Sequence, residues 1–571
     1  MICLIRPPFV ESFRIAYLTV NLPLGLSYIA GALEAAGKTI HILDAVAEAP
    51  NTYTRYVKGF LIGLKLEDIA ERIPSQATQV GITVIFTHEW PAAIQLIKLI
   101  KAKRPELKII LGGEHVTAMP EFCLAVSEAD YIVLGEGEET IVSLVNLLEN
   151  GDDPSDLKGI GYKVANRITI NKRHTRECDI NQIARPAWHL FDIKAYVDNN
   201  YVGGMQTGGI SMPLLATRGC PYQCTFCAAP NMWTPSWFPR DPLLVVDEIE
   251  HYVKTYNAKD FTLQDLTVML NRDWLITFCN ELLARNLQIT WQLPSGTRSE
   301  AIDSEVANLL YRTGAQNLNF APESGSETTR MLIKKKMKTG RLMKSLKASI
   351  DAKLIVGIFT IIGFPHDKPE HLAENLKFVR QMGEIGVTDI SVGFYLALPG
   401  SELFDSLYDD GKITIDRDYF VHILQGASFY PSKKFAEHLS NLDMFLWKIR
   451  CIFTFFKGRG LYRTFAGIAK GFFSKSHETR LATAISNGIQ NAPKAIRVQF
   501  GEPWISRTEE DTMFSQWENV YREIRRQNMS AGIHVKTPAD TTKLYKDNVI
   551  NGINLSHNNV HHIQLDTTAS S

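Results

Sequence analysis

The chain has 571 residues, 61 Lys+Arg against 61 Asp+Glu, and 45% hydrophobic residues. This is the composition of an ordinary soluble protein; it excludes wholesale disorder, collagen-like repeats and a global charge field suited to nucleic acid. Eight cysteines are too sparse for a disulfide scaffold of this length, and about 150 residues per domain predicts three to four domains.

The opening MICLIRPPFVESFR has an apolar run that stops at Pro7-Pro8, short of the roughly 7–15 residues of a secretory core. No uninterrupted apolar stretch reaches the ~18 residues of a spanning helix. A cytoplasmic, reducing location is therefore expected, where clustered cysteines read as metal ligands or catalysts.

Residues 1–150 alternate strand-like runs (Ile2–Ile5, Thr39–Leu43, Val80–Phe86, Lys108–Leu111, Tyr131–Leu134) with amphipathic stretches such as Gly25–Ala36, Ala92–Ala102 and Glu139–Leu148. Short buried strands alternating with helices predict a doubly wound, Rossmann-like parallel sheet whose ligand lies beyond the strands' carboxyl ends. Those ends carry Arg6-Pro7-Pro8, Thr87-His88-Glu89, Gly112-Gly113-Glu114-His115 and Gly135-Glu136-Gly137. Glycines there let the backbone approach a large ligand closely.

Residues 151–210 read as a hairpin over 160–172 followed by a polar connector. From 211 to 430 six strands recur, at Pro213–Arg218, Phe261–Gln264, Ile289–Leu293, Leu318–Ala321, Ile355–Ile362 and Asp389–Leu396, with helical patterns between them. Six βα units form an open sheet or a partial barrel, and the period alone does not choose. Residues 431–571 read as a mainly helical region with a polar tail. Eight Lys/Arg face two acids between Asp443 and Arg480. The stretch 436–475 therefore reads as a helical cap on the barrel or as a peripheral membrane contact. His557, His561 and His562 read as part of the tail.

Cys220, Cys224 and Cys227 have the spacing C-x3-C-x2-C directly after the first of these strands. Three thiolates on one tight loop suit zinc or an iron–sulfur cluster. Structural zinc wants four protein ligands, and no fourth lies nearby. A [4Fe–4S] cluster held by three cysteines leaves one iron open to a substrate or cofactor. Cys3, Cys123, Cys279 and Cys451 fall in apolar patterns and read as core; a role for Cys178 stays open.

The cysteine spacing, its place after the first of six strands and the aromatic Phe226 before the third cysteine resemble the radical S-adenosylmethionine superfamily. That resemblance implies a partial barrel whose open iron chelates the amino and carboxylate groups of S-adenosylmethionine. One electron then yields methionine and a 5′-deoxyadenosyl radical. Ala321-Pro322-Glu323-Ser324-Gly325-Ser326 resembles the fourth-strand motif, implying cofactor contacts for Glu323 and Ser324, though many members have Gly where Ala321-Pro322 stands here. Ile361-Ile362-Gly363-Phe364-Pro365 and Leu398-Pro399-Gly400-Ser401 resemble the fifth- and sixth-strand motifs. Gln264, Asp265 and Arg298, at or after the second and third strands, are expected to face the cavity.

The N-terminal region resembles the cobalamin-binding domain fused to many such enzymes, through Pro23-Leu24-Gly25-Leu26 and the segments holding Gly112, Gly113, Glu114, His115, Gly135, Glu136 and Gly137. The D-x-H-x-x-G signature is absent, which implies cobalamin bound without a histidine below cobalt, or a domain that binds none. The resemblance implies a cobalamin-dependent methyltransferase acting on an unactivated carbon of a small-molecule or lipid substrate. It would draw electrons from a flavodoxin or ferredoxin and engage no nucleic acid. A cyclase, oxidase or other rearrangement enzyme of the same superfamily is the alternative, and a non-catalytic iron–sulfur or corrinoid sensor a second.

Overall fold

The computed structural model describes residues 1–13, 20–164, 167–174, 179–201, 209–426, 429–460, 498, 501 and 503–530, with the backbone of 561–564. Cys178 and His557 lie outside it, as do the side chains of His561 and His562 and the part of the predicted 436–475 helix beyond Gly460.

The chain is α/β. Its first sheet runs in the order Ile40–Asp44, Ile2–Arg6, Gln79–Thr83, Lys108–Gly112, Tyr131–Val133, parallel throughout. The hairpin Ile160–Val164/Arg167–Ile170 and then His561–Gln564 extend it antiparallel. The order reverses between Ile2–Arg6 and Gln79–Thr83, which puts a ligand-binding crevice at their carboxyl ends. Side chains alternate across the sheet: Leu4 and Ile110 pack into one core, Cys3, Ile5, Val80 and Ile109 into the other. The strand expected to reach Phe86 stops at Thr83, and a turn of 3-10 helix, Thr87–Glu89, follows. A small antiparallel sheet (Phe9–Ser12, Gly59–Ile62, Tyr53–Tyr56) went unforeseen.

The second half resolves the choice that period alone left open. Parallel strands Ile210–Leu214, Ala258–Leu263 and Thr290–Gln292 form one arc. Asn317–Glu323, Ile355–Ile362 and Asp389–Phe394 form another. Bridges Trp291–Ala315 and Thr297–Phe320 join the third strand's edge to the fourth. The strands thus follow chain order, and among the described residues no pairing closes the first onto the sixth: this is a partial barrel. Helices such as Pro242–Tyr256, Arg272–Ala284 and Pro369–Glu384 cover its outside.

Helix Asn441–Arg459, started by a Ser440/Asp443 capping box, lies along Pro369–Glu384 and against the sixth strand. It buries Met444, Cys451, Phe455 and Phe456 there, so the described part of the basic segment caps the barrel. Lys448 is buried with it, its ammonium 4.6 Å from the Phe394 ring centroid, and burial lowers its pKa to about 8. The helices Arg507–Ser515 and Trp517–Ser530 return to the first sheet, where Trp517 meets Phe122 edge-on. Among the described residues no helix is long and apolar enough to cross a membrane.

Candidate functional site

The cysteine loop hangs from the barrel by its backbone. Thr225 N–H donates to Ile333 O (3.1 Å), and Thr225 O accepts from Leu403 N–H (2.9 Å). One anchor follows the fourth strand; the other begins the helix after Pro399-Gly400-Ser401, which Ser401 caps. Cys220, Cys224 and Cys227 are free and half-buried. Burial raises all three thiols, Cys227 to about 12; the Lys335 ammonium and Arg298 guanidinium oppose the rise at Cys220 and Cys224. Metal binding to such thiols releases protons. Among the described residues no three His, Cys, Asp or Glu side chains converge as one metal ion requires, whereas a cluster places its thiolates on separate irons.

Around this loop the structure gathers several of the expected residues. Arg298 lies 3.6 Å from the centroid of the Tyr222 ring, within the loop, and donates to Glu300 (2.9 Å). Glu323 ends the fourth strand at φ +63, a left-handed conformation uncommon for a residue with a side chain, and accepts from Lys335 Nζ at 3.0 Å. Ser324 accepts from Ser326 N–H. Phe226 packs on Phe364 of the fifth-strand motif, ring centroids 5.6 Å apart. Asp367 holds that motif by accepting from the N–H groups of Gly363 (2.9 Å) and Phe364 (3.1 Å).

Two expected contacts have other duties here. Asp265 accepts from Ala216 N–H (3.2 Å), Thr217 N–H (2.5 Å) and Thr217 Oγ1 (2.6 Å), so it anchors the start of the cysteine loop. Burial raises its carboxyl to about 6. Gln264 makes a side-chain bond to Thr262 of its own strand, 3.2 Å. Lys335, Tyr222 and Arg218 joined the site unforeseen. Lys335 stands in a run of three lysines, which as sequence reads like a solvated face.

The N-terminal strand ends meet the barrel beside this loop. Helix Glu114–Ala118 follows Gly113, which sits at φ +120 where an added Cβ would lie 2.3 Å from Val84 O. It packs against helix Ala229–Trp233, just beyond Cys227. Arg173 donates to Asn231 O (2.6 Å). Glu136 and Glu138 pair with Arg218 (3.2 and 2.5 Å), while Gly137 caps helix Glu138–Asn150. Gly135, at φ +69, donates to Thr117 Oγ1; Gly112 has open space around it. His115 is 2% exposed beside Trp90, with neither ring nitrogen bonded. Burial and neighbouring His88 lower it to about 3. Buried polar atoms without partners are rare, and such an atom marks a place where a ligand or water belongs. Open glycine backbone, an unpartnered imidazole and the exposed apolar Ile85 and Phe86 at the crevice fit a large, partly apolar cofactor.

A three-cysteine loop inside six parallel strands, flanked by a doubly wound domain, defines the class: a radical S-adenosylmethionine enzyme joined to a corrinoid-type domain. Comparison bears this out. Residues 214–379 match the Radical SAM superfamily and residues 15–145 the B12 binding domain, so the chain carries a radical S-adenosylmethionine domain and an N-terminal B12-binding domain. It is 27% identical over 485 residues to the cytidylyl-2-hydroxyethylphosphonate methyltransferase of Streptomyces wedmorensis, covering 77% of this chain and 88% of that one. With the anaerobic magnesium-protoporphyrin IX monomethyl ester cyclase of Rubrivivax gelatinosus it shares 25% over 397 residues, 68% of this chain and 67% of that one. The cobalamin-dependent S-adenosylmethionine radical enzyme OxsB with aqua-cobalamin bound superposes with a TM-score of 0.61 at 14% identity, over 96% of this chain and 84% of that one. The methyltransferase TsrM from Kitasatospora setae, with cobalamin and a [4Fe-4S] cluster bound, gives 0.56 at 16%, over 72% and 74%.

Proposed function

We propose that the protein is a cobalamin-dependent radical S-adenosylmethionine methyltransferase that methylates an unactivated carbon of a small molecule. The observation that carries the reading is the meeting of the two domains: strand-end loops of the B12-binding domain lie against the cysteine loop and its following helix. When bound, the cluster would supply the electron that cleaves S-adenosylmethionine, and the corrinoid the methyl group.

In this reading Cys220, Cys224 and Cys227 hold the cluster. Glu323 takes the ammonium of S-adenosylmethionine, Ser324 supports that contact and Phe226 with Phe364 walls the cofactor from water. Arg298 and Lys335 balance the anionic cluster. Gly112, Gly113, Glu114, His115 and the Gly135-Glu136-Gly137 turn shape the corrinoid crevice. An external flavodoxin or ferredoxin would deliver electrons. A peripheral membrane contact would use Leu442, Leu446 and Phe453, exposed on the cap helix, and flotation with anionic vesicles tests it.

The cyclase reading rests on the protoporphyrin ester cyclases among the relatives. One assay separates the two. Reconstituted protein given substrate pools and S-adenosylmethionine should form both S-adenosylhomocysteine, from remethylation of the corrinoid, and 5′-deoxyadenosine. Formation of 5′-deoxyadenosine alone with product would favour the cyclase.

A further inference from the structure

Arg218 belongs to the segment matching the radical S-adenosylmethionine superfamily, yet its side chain is spent on the other domain. It stands two residues before Cys220, 5% exposed, with Glu138 at 2.5 Å and Glu136 at 3.2 Å. Its guanidinium lies 5.1 Å from the Tyr28 ring centroid and 5.9 Å from that of Trp233, within cation–π reach. Burial alone would lower its pKa, but Glu138, Tyr28 and Glu136 hold it above the ordinary value. Glu138 in turn stays below its own ordinary value, Arg218 offsetting its burial.

We infer that Arg218 is a positioning residue that locks the B12-domain turn Gly135–Glu138 to the cysteine loop in one fixed relation. The inference rests on the cobalamin reading given above. Apolar packing would stabilise such an interface as well as a buried ion pair does. What the guanidinium adds is direction: a planar fork whose two terminal nitrogens each donate to a different carboxylate, Glu136 and Glu138. The fork has a rigid base. Arg218 lies in the short strand Thr217–Gly219, paired with Trp237–Pro239, and its neighbour Thr217 is bonded twice to buried Asp265 at the end of the second barrel strand. A continuous polar chain therefore runs from the barrel wall through Asp265, Thr217 and Arg218 to Glu136 and Glu138. The distance between the corrinoid crevice and the cluster loop is set by this chain.

The test uses the full chain as Arg218→Met and Arg218→Lys, with two readouts: amide hydrogen exchange over residues 134–139 without cofactors, and hydroxocobalamin binding. Arg218→Met should speed that exchange and weaken hydroxocobalamin by about tenfold or more, as removing an outer support of a ligand site does. Iron content after reconstitution should persist, because the three thiols are untouched. Arg218→Lys keeps the charge without the fork and should recover little of either. Unchanged exchange together with unchanged affinity in folded Arg218→Met overturns the inference. Should that variant fail to fold, Glu136→Gln removes one arm only and must still speed exchange in the turn; no change there overturns it equally. If the wild type holds no hydroxocobalamin while Arg218→Met still loosens the turn, the clamp stands and the cobalamin reading falls.

Discussion

Lys335 Nζ lies 3.0 Å from Glu323 Oε1, each side chain about nine-tenths buried beside Cys224. The pair sets a cation beside Glu323, proposed above as a cofactor contact, and near Cys224, proposed above as a cluster ligand. Removing one partner of a buried pair typically costs about 3–5 kcal/mol, because the other charge is left unpaired. Lys335→Met should therefore lower the thermal midpoint, and Lys335→Met with Glu323→Gln should restore much of it. The single variant should also lower the cluster's reduction potential by tens of millivolts, since a nearby positive charge favours the reduced cluster. Potentiometry on reconstituted protein checks this; an unmoved potential would confine Lys335 to stability.

Alanine at any of Cys220, Cys224 or Cys227 should abolish the cluster. Iron and sulfide analysis after anaerobic reconstitution, with 5′-deoxyadenosine as the second readout, decides it. Full iron with retained 5′-deoxyadenosine in any one variant would refute the assignment.

Gly113→Ala should destabilise the N-terminal domain by roughly 2–5 kcal/mol, adding backbone strain to a steric overlap. The reason is local: at φ +120 a Cβ would meet Val84 O at 2.3 Å. The loss should appear in cofactor-free protein. A variant that melts like the wild type but fails to hold cobalamin would instead assign this glycine to the ligand alone.

Glu11, in the small antiparallel sheet, is raised by burial from 4.5 to about 8, opposed only by the bond from Ser12 N–H. Its folded value exceeds its unfolded one, so its contribution is full below about pH 4.5 and is lost as pH rises through 8. Glu11→Gln should therefore match the wild type near pH 4.5 and become relatively more stable toward pH 8. Thermal melts of both proteins across that range check the sign. A stability difference independent of pH would show that Glu11 ionises freely.

Much of this was legible in the sequence because the signals were local. β-branched runs of five or so residues marked Ile2–Arg6, Lys108–Gly112 and Ile355–Ile362, and cysteine spacing marked the loop. The small sheet escaped because its strands are four residues long and its turn runs through Val57 at φ +41, where a hairpin normally announces itself with Asn or Gly. The ion pairs escaped for another reason. Glu138 and Arg218 are 80 positions apart, and no periodicity records which charges meet once the domains dock. Asp265 was placed correctly at a strand end, but whether a carboxylate there faces a cavity or ties down Thr217 depends on how the chain turns as it leaves the first barrel strand.

The backbone suspension of the cysteine loop also divides two duties within it. Thr225 is held on both sides by main-chain bonds, and neither is made by a cysteine side chain, so the tether of the loop is separate from the thiols proposed to hold the cluster. Because both bonds belong to the main chain and the buried Thr225 Oγ1 has no partner of its own among the described residues, the isosteric change Thr225→Val leaves that tether in place.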